Sequence, residues 1–253
     1  MKKLTFFIII VSYCSLVVAN QPAANNSAFS SNSNENRGAF FGLSFGPTVD
    51  WFAPTTDELS RNAAKVGFIG GVNLDLSLTR GRTVYFSTGL LFRYLQGELS
   101  FISQHDFSSI IPMDTALVLS TVRTYQTMYL TVPTGVKFRT SPSKGFVFLG
   151  KLGLYHNFKV GGEQFDKFSL IGEDPDYFVT TKKVKNNDAA IFAESVYVGL
   201  GFEYALGNNA RIFANVDYSC QFYYFSNKAK NDFTGAQFKS MVHSLHIVFG
   251  FKF

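Results

Sequence analysis

Cysteine, charge, histidine and long apolar runs are all scarce in this chain. It has two cysteines among 253 residues, and one of them, Cys14, lies in the opening nineteen residues. If those residues are removed, Cys220 is the single thiol left, which excludes an intrachain disulfide framework even in an oxidising compartment. Charged residues make up 16% of the chain. Taking Lys2 and Lys3 from the 23 basic residues leaves 21 against 18 acidic ones, a net charge of +3. That surplus is too mild to signal nucleic acid or an anionic surface. After residue 19 no apolar run approaches the roughly 20 residues that a membrane-spanning helix needs.

The four histidines give no convincing site. His243 and His246 are three apart, which on a strand puts them on opposite faces, so they share no metal. His105 stands beside Asp106, with Ser103, Ser108 and Ser109 near it. Adjacency in sequence does not bring a nucleophile, a base and an orienting acid within hydrogen-bond reach. No glycine-rich loop opens a helix, so GFIGG (67–71) reads as close strand packing rather than a phosphate cradle. No catalytic residue, cofactor or metal is expected.

What is present begins with an export signal. Lys2 and Lys3 precede the apolar run Leu4 to Val11, and Val17 and Ala19 are the compact residues a signal peptidase accepts. Cleavage after Ala19 would leave 234 residues. Residues 20–37, mostly Asn, Ser and Ala, read as a flexible tail, and the folded domain is expected over 38–253. Aromatic residues reach 17%, with 29 Phe and 12 Tyr, and glycine numbers 21.

Period two dominates from Gly38 onward, the mark of strands with unlike faces. Phe41, Leu43 and Phe45 alternate with small residues, and Val72, Leu74, Leu76 and Leu78 with Asn73, Asp75 and Ser77. The same rhythm runs through 84–94, 129–138, 146–158, 194–204, 212–222 and 243–253, eight strands in all. Short turns at 79–82, 141–145 and 206–209 alternate with longer connections at about 51–65, 97–124, 160–190 and 226–241. The pattern predicts an all-β fold: an eight-stranded antiparallel transmembrane barrel with short periplasmic turns and long outer loops. A soluble β-sandwich or a lipocalin-like barrel also alternates. The membrane version is favoured by segment length, by a non-apolar face of Gly, Ser, Thr, Asn and Tyr, and by aromatics at strand ends. Trp51-Phe52 and Phe222-Tyr223-Tyr224-Phe225 are the expected outer belt, and His156 falls on the lipid-facing parity near it.

With the apolar face toward lipid, parity puts Asp50, Asp75, Arg93, Lys137, Lys151, Glu203, Asp217 and Lys252 inside, with His246. Four acids against four bases suit a closed, structural network of paired charges. Eight strands leave an interior that side chains fill, whereas open porins need roughly 16. Lys182, Lys183 and Lys185, after Glu173, Asp174 and Asp176, read as a solvated outer loop, with lipopolysaccharide phosphate as the sharper alternative. Tyr177-Phe178-Val179 in that loop reads as a partner contact or a short loop hairpin.

The strand motifs resemble the PorT-like family of small outer-membrane β-barrel proteins, over roughly Gly38 to Phe253. The carriers are KVGFIGGVNLDLSL (65–78), VYFSTGLLFRYLQGEL (84–99), YLTVPTGVKFR (129–139), VGLGFEY (198–204) and HSLHIVFGFKF (243–253). In the last of these, Leu245, Ile247, Phe249, Phe251 and Phe253 look like the signal read by the barrel assembly machinery. The resemblance implies an eight-stranded barrel in a Gram-negative outer membrane, with outer-membrane lipid and lipopolysaccharide as surroundings. It fixes no single activity, and secretion-system components are the partners it suggests. The chain is expected to be a non-enzymatic structural or accessory barrel assisting protein secretion. A narrow channel for small solutes, or a lipid- or peptide-modifying barrel around His105, are the alternatives.

Overall fold

The computed structural model describes residues 38–79, 81–105, 117–143, 145–170, 181–206, 210–225 and 237–253. Nine strands run in chain order: β1 Ala39–Pro54, β2 Ser60–Ser77, β3 Val84–His105, β4 Leu117–Arg139, β5 Phe146–Leu170, β6 Thr181–Lys185, β7 Phe192–Leu206, β8 Ala210–Gln221 and β9 Ser240–Lys252. All pairings are antiparallel, and the ring runs β1–β2–β3–β4–β5–β7–β8–β9 and back to β1. The eight-stranded barrel is therefore closed, and no ring strand is left with an unpaired edge. Strand β6 is additional and lies against the far end of β5, Glu163↔Lys185 to Lys167↔Thr181.

Alternation of exposure along β1 and β9 shows how the sequence selects this wall. Phe41, Leu43 and Phe45 are exposed outside while Ser44, Thr48 and Asp50 are buried inside. On β9, Ile247, Phe249 and Phe251 face out, and Ser244, His246 and Lys252 face in. In water such an exterior would be an extreme apolar patch; in hydrocarbon it is the correct solvent match. No helix among the described residues is long and apolar enough to cross a membrane, and the strands cross instead.

The strands are longer than period two alone indicates. β3, β4 and β5 have 22, 23 and 25 residues, against 12 and 13 for β8 and β9. At about 3.3 Å per residue and a tilt near 40°, 25 residues rise about 60 Å, well beyond an apolar band of about 25 Å. Much of 97–124 and 160–190, expected as loop, is therefore strand wall standing above the membrane. The connection expected at 51–65 shrinks to 55–59 between β1 and β2.

Four of the six expected belt residues face outward or are exposed, and two are buried. Trp51 faces outward and stacks on His243 at 5.8 Å, and Phe222, Tyr223 and Tyr224 are exposed. Phe52 and Phe225 are buried inside instead. Adjacent strand residues must point to opposite faces. Past the end of β8 the chain turns inward, where Phe225 N–H donates to Ser240 O at 2.7 Å.

Candidate functional site

The barrel interior carries three layers of polar and aromatic chemistry. Nearest the short turns, Asp75 accepts from Lys137 Nζ at 2.5 Å, from Lys252 Nζ at 2.8 Å and from Ser87 Oγ at 2.7 Å. Lys252 also donates to Glu203, which is 3.0 Å from Arg139 Nη2 and 3.8 Å from Arg211 Nη1. Both guanidinium groups lie over the Phe40 ring, at 5.6 and 5.1 Å. β2, β4, β7, β8 and β9 thus meet across the lumen through one chain of charges.

In the middle layer Arg93 Nη2 is 2.9 Å from Asp50 Oδ1, and Ser244 Oγ and Thr48 Oγ1 complete the carboxylate's partners at 2.5 and 2.9 Å. Lys151 Nζ meets Asp217 Oδ2 at 2.7 Å. His246 is fully buried, with Nε2 3.0 Å from Ser219 Oγ and its ring stacked 5.6 Å from Tyr155. Tyr155 stacks in turn on Tyr197 at 4.3 Å. A cavity of about 40 Å³ remains between these layers, lined by Asn73, Lys137, Lys151 and Asn215 among others, with room for a few waters.

Aromatic rings fill the outer layer. Phe52 packs edge-on to Phe225 at 4.8 Å and to Tyr125 at 5.6 Å, and Tyr125 meets Phe225 at 5.2 Å. Phe101 and Phe238 pack beside them at 4.5 Å. Gly97 makes the space: a methyl group there would lie 2.2 Å from Cε2 of Phe52. Above the plug, Arg123 grips Asp166 with both Nε and Nη2, at 2.6 and 2.7 Å, and reaches Asp188 at 3.2 Å. Lys65 pairs with Glu98 at 2.7 Å.

All eight residues that parity assigned to the interior lie inside the ring, and each has an oppositely charged partner. The strand bounds 129–138, 146–158 and 212–222 stop short of Arg123, Arg139, Asp166 and Arg211, which the observed strands include. Extending the inward parity of Tyr129 back to Tyr125 and Arg123, or of Lys137 on to Arg139, would have found two of them. Of the His105 group, Asp106, Ser108 and Ser109 lie outside the described residues, as does the side chain of His105; its backbone ends β3. Ser103 is buried, with its hydroxyl 2.5 Å from Thr121 Oγ1. Glu173, Asp174, Asp176, Tyr177, Phe178 and Val179 are also outside the described residues. Lys182, Lys183 and Lys185 belong to β6 rather than to a loop, and Lys185 is exposed.

On the outer wall, His156 stands between two polar neighbours. Its Nε2 is 2.9 Å from Thr134 Oγ1 and its Nδ1 is 3.0 Å from Glu194 Oε1. His243 also faces out, with Nδ1 2.6 Å from the Tyr218 hydroxyl, on the face opposite His246. Leu245, Ile247, Phe249, Phe251 and Phe253 line the same outer face of β9, and the Phe253 ring packs on Phe41 at 5.5 Å.

A family model described as the outer membrane protein beta-barrel domain matches residues 24–222. No curated protein matches the chain. Among solved structures, the Yersinia pestis attachment invasion locus protein Ail, in complex with the heparin analogue sucrose octasulfate, is 15% identical. That match covers 86% of this chain and 100% of Ail, with a TM-score of 0.32. OprG of Pseudomonas aeruginosa is 14% identical over 85% of this chain and 96% of its own, with a TM-score of 0.37. The Escherichia coli outer membrane protease OmpT is 11% identical over 89% and 98%, with a TM-score of 0.30.

Proposed function

The chain belongs to the outer membrane protein beta-barrel domain family, and from that premise we propose that it is a closed, non-conducting barrel with a structural or accessory role in the envelope. Its interior charges lock the ring, and its tall outer wall offers the contact surface. The observation that carries this reading is the filled lumen. The Phe52–Tyr125–Phe225 plug and the Asp75–Lys137–Lys252–Glu203 cluster obstruct it at two levels. Support also comes from strand number, since eight strands enclose only enough space for side chains.

The PorT-like resemblance adds a narrower form, in which the wall above the membrane contacts secretion components after export through the N-terminal signal. Planar bilayers test the reading directly. The purified protein should give no conductance steps at any applied potential, whereas reproducible unitary steps would establish the narrow channel in its place.

A further inference from the structure

The outer wall of the barrel holds a chain of three polar side chains that the interior does not explain. Thr134 on β4, His156 on β5 and Glu194 on β7 sit on three neighbouring strands and all face outward. Around them the wall is apolar: Val132 and Val136, Leu152 and Leu154, Val196 and Val198. Hydroxyl, imidazole and carboxylate break the run of Leu and Val on this face, and the depth-dependent cost of polar groups on a lipid-facing wall is smallest near its edges. Each is only partly exposed, with side-chain values of 22% for His156 and 27% for Glu194.

The order of the contacts is chemical. A carboxylate only accepts, so the 3.0 Å contact with Glu194 fixes the His156 proton on Nδ1. Nε2 then carries the lone pair and accepts the Thr134 hydroxyl at 2.9 Å. Nucleophile, base and orienting acid are linked in the sequence that activates an alcohol for acyl transfer. Height supplies the substrate class. His156 lies ten residues beyond Phe146 on β5, about 25 Å along the normal for a strand tilted near 40°. That is the full height of an outer-membrane apolar band. The next outward residues, Phe158 and Phe192, pair their rings at 5.1 Å, as an interfacial belt would. With the short turns in the periplasm, this level is the outer leaflet's boundary between acyl chains and headgroups, where ester carbonyls lie.

We propose that Thr134, His156 and Glu194 form a lipid-facing esterase site for acyl esters of outer-leaflet lipid. Thr134 Oγ adds to the ester carbonyl carbon while its proton passes to His156 Nε2. The intermediate collapses by breaking the bond to the lipid alcohol, which takes that proton. Water then attacks the acyl-threonine, giving its proton to His156, and Thr134 Oγ leaves and is reprotonated. Free fatty acid and a deacylated lipid are the products. Thr134 and His156 are the catalytic residues; Glu194 is a positioning residue that acts through the imidazole. The assignment departs from the non-catalytic reading of the sequence, which could not see it because the three residues are 22 and 38 positions apart.

The test uses the full chain extracted from membranes. It is offered vesicles of ester-linked phosphatidylethanolamine, vesicles containing lipid A, and ether-linked phosphatidylethanolamine as a control, and fatty acid release is read by mass spectrometry. Release from either ester vesicle and none from the ether lipid is the expected result, and the vesicle that responds identifies the lipid. Thr134→Val and His156→Asn should fall to the vesicle background, and Thr134→Ser should retain turnover. Glu194→Gln should lower kcat by about 10²- to 10⁴-fold with KM unchanged, as loss of an orienting carboxylate does. Folding of each variant is checked by retained resistance to detergent denaturation. Wild-type protein that releases nothing from both ester vesicles, or a folded Thr134→Val that releases fatty acid at the wild-type rate, overturns the proposal.

Discussion

At the scale of single residues, the interior acids and bases matter through their partners. Asp50 meets one base, Arg93, and two hydroxyls, Ser244 and Thr48. Arg93→Met leaves a buried carboxylate with hydroxyl donors alone, and breaking a buried pair from one side costs about 3–5 kcal/mol. Asp50→Asn combined with Arg93→Met removes both charges and should recover most of that loss. Denaturant unfolding in micelles measures the cycle. Strictly additive effects of the two substitutions would refute the claim that the pair acts as a unit. Parity placed these residues on a face but could not pair them. Which acid meets which base follows from strand register and from the tilt that closes the ring, and period two encodes neither.

At the scale of elements, the tall wall of β3, β4 and β5 is held by side chains above the membrane. Arg123 clips β4 to β5 through both oxygens of Asp166 and also lies 5.2 Å over the Phe101 ring of β3. A bidentate, charge-assisted contact of this kind is worth about 2–3 kcal/mol. Arg123→Ala should therefore speed amide exchange in 119–126 and 163–168 by about 30-fold or more, at 1.4 kcal/mol per factor of ten. Exchange lower in the barrel should stay unchanged; equal acceleration along the full strands would show that the clip is not local. The eight ring strands were legible in sequence because lipid enforces an unbroken apolar face on each. Their upper halves were not. Above the membrane, outward positions such as Glu163 and Lys185 are polar while the inward side carries Tyr125, Thr127 and Asp166. Polarity then no longer distinguishes the two faces. β6 was hidden for the same reason. The outward triad was hidden by its spread over three strands, since neighbours across a sheet leave no local spacing to read.

At the scale of the whole molecule, the ring exists only if its first and last strands meet. The β1–β9 seam keeps one register from Gly42↔Lys252 to Pro54↔Ser240, which sets Gly46 and Pro47 opposite Val248 and Ile247, respectively. Pro47 has no N–H to give the ladder, and Gly46 allows the backbones to close over it. A methyl group at Gly46 would lie 1.8 Å from the carbonyl oxygen of Ile247, a backbone atom that cannot rotate away. Gly46→Ala must push β9 from β1 at the one place where the barrel is joined by the longest excursion of chain. The expected cost is about 3 kcal/mol, the upper end of overpacking penalties, with less folded protein recovered from membranes. Gly150→Ala is the matched control, because a methyl there meets nothing within 4 Å. Detergent-resistant, heat-modifiable protein on gels reports closure for both variants. Equal yields and equal unfolding midpoints would mean that the seam tolerates the methyl group and that closure is set elsewhere in the ring. A loss confined to Gly46→Ala would identify the seam as the step on which the eight strands become one barrel.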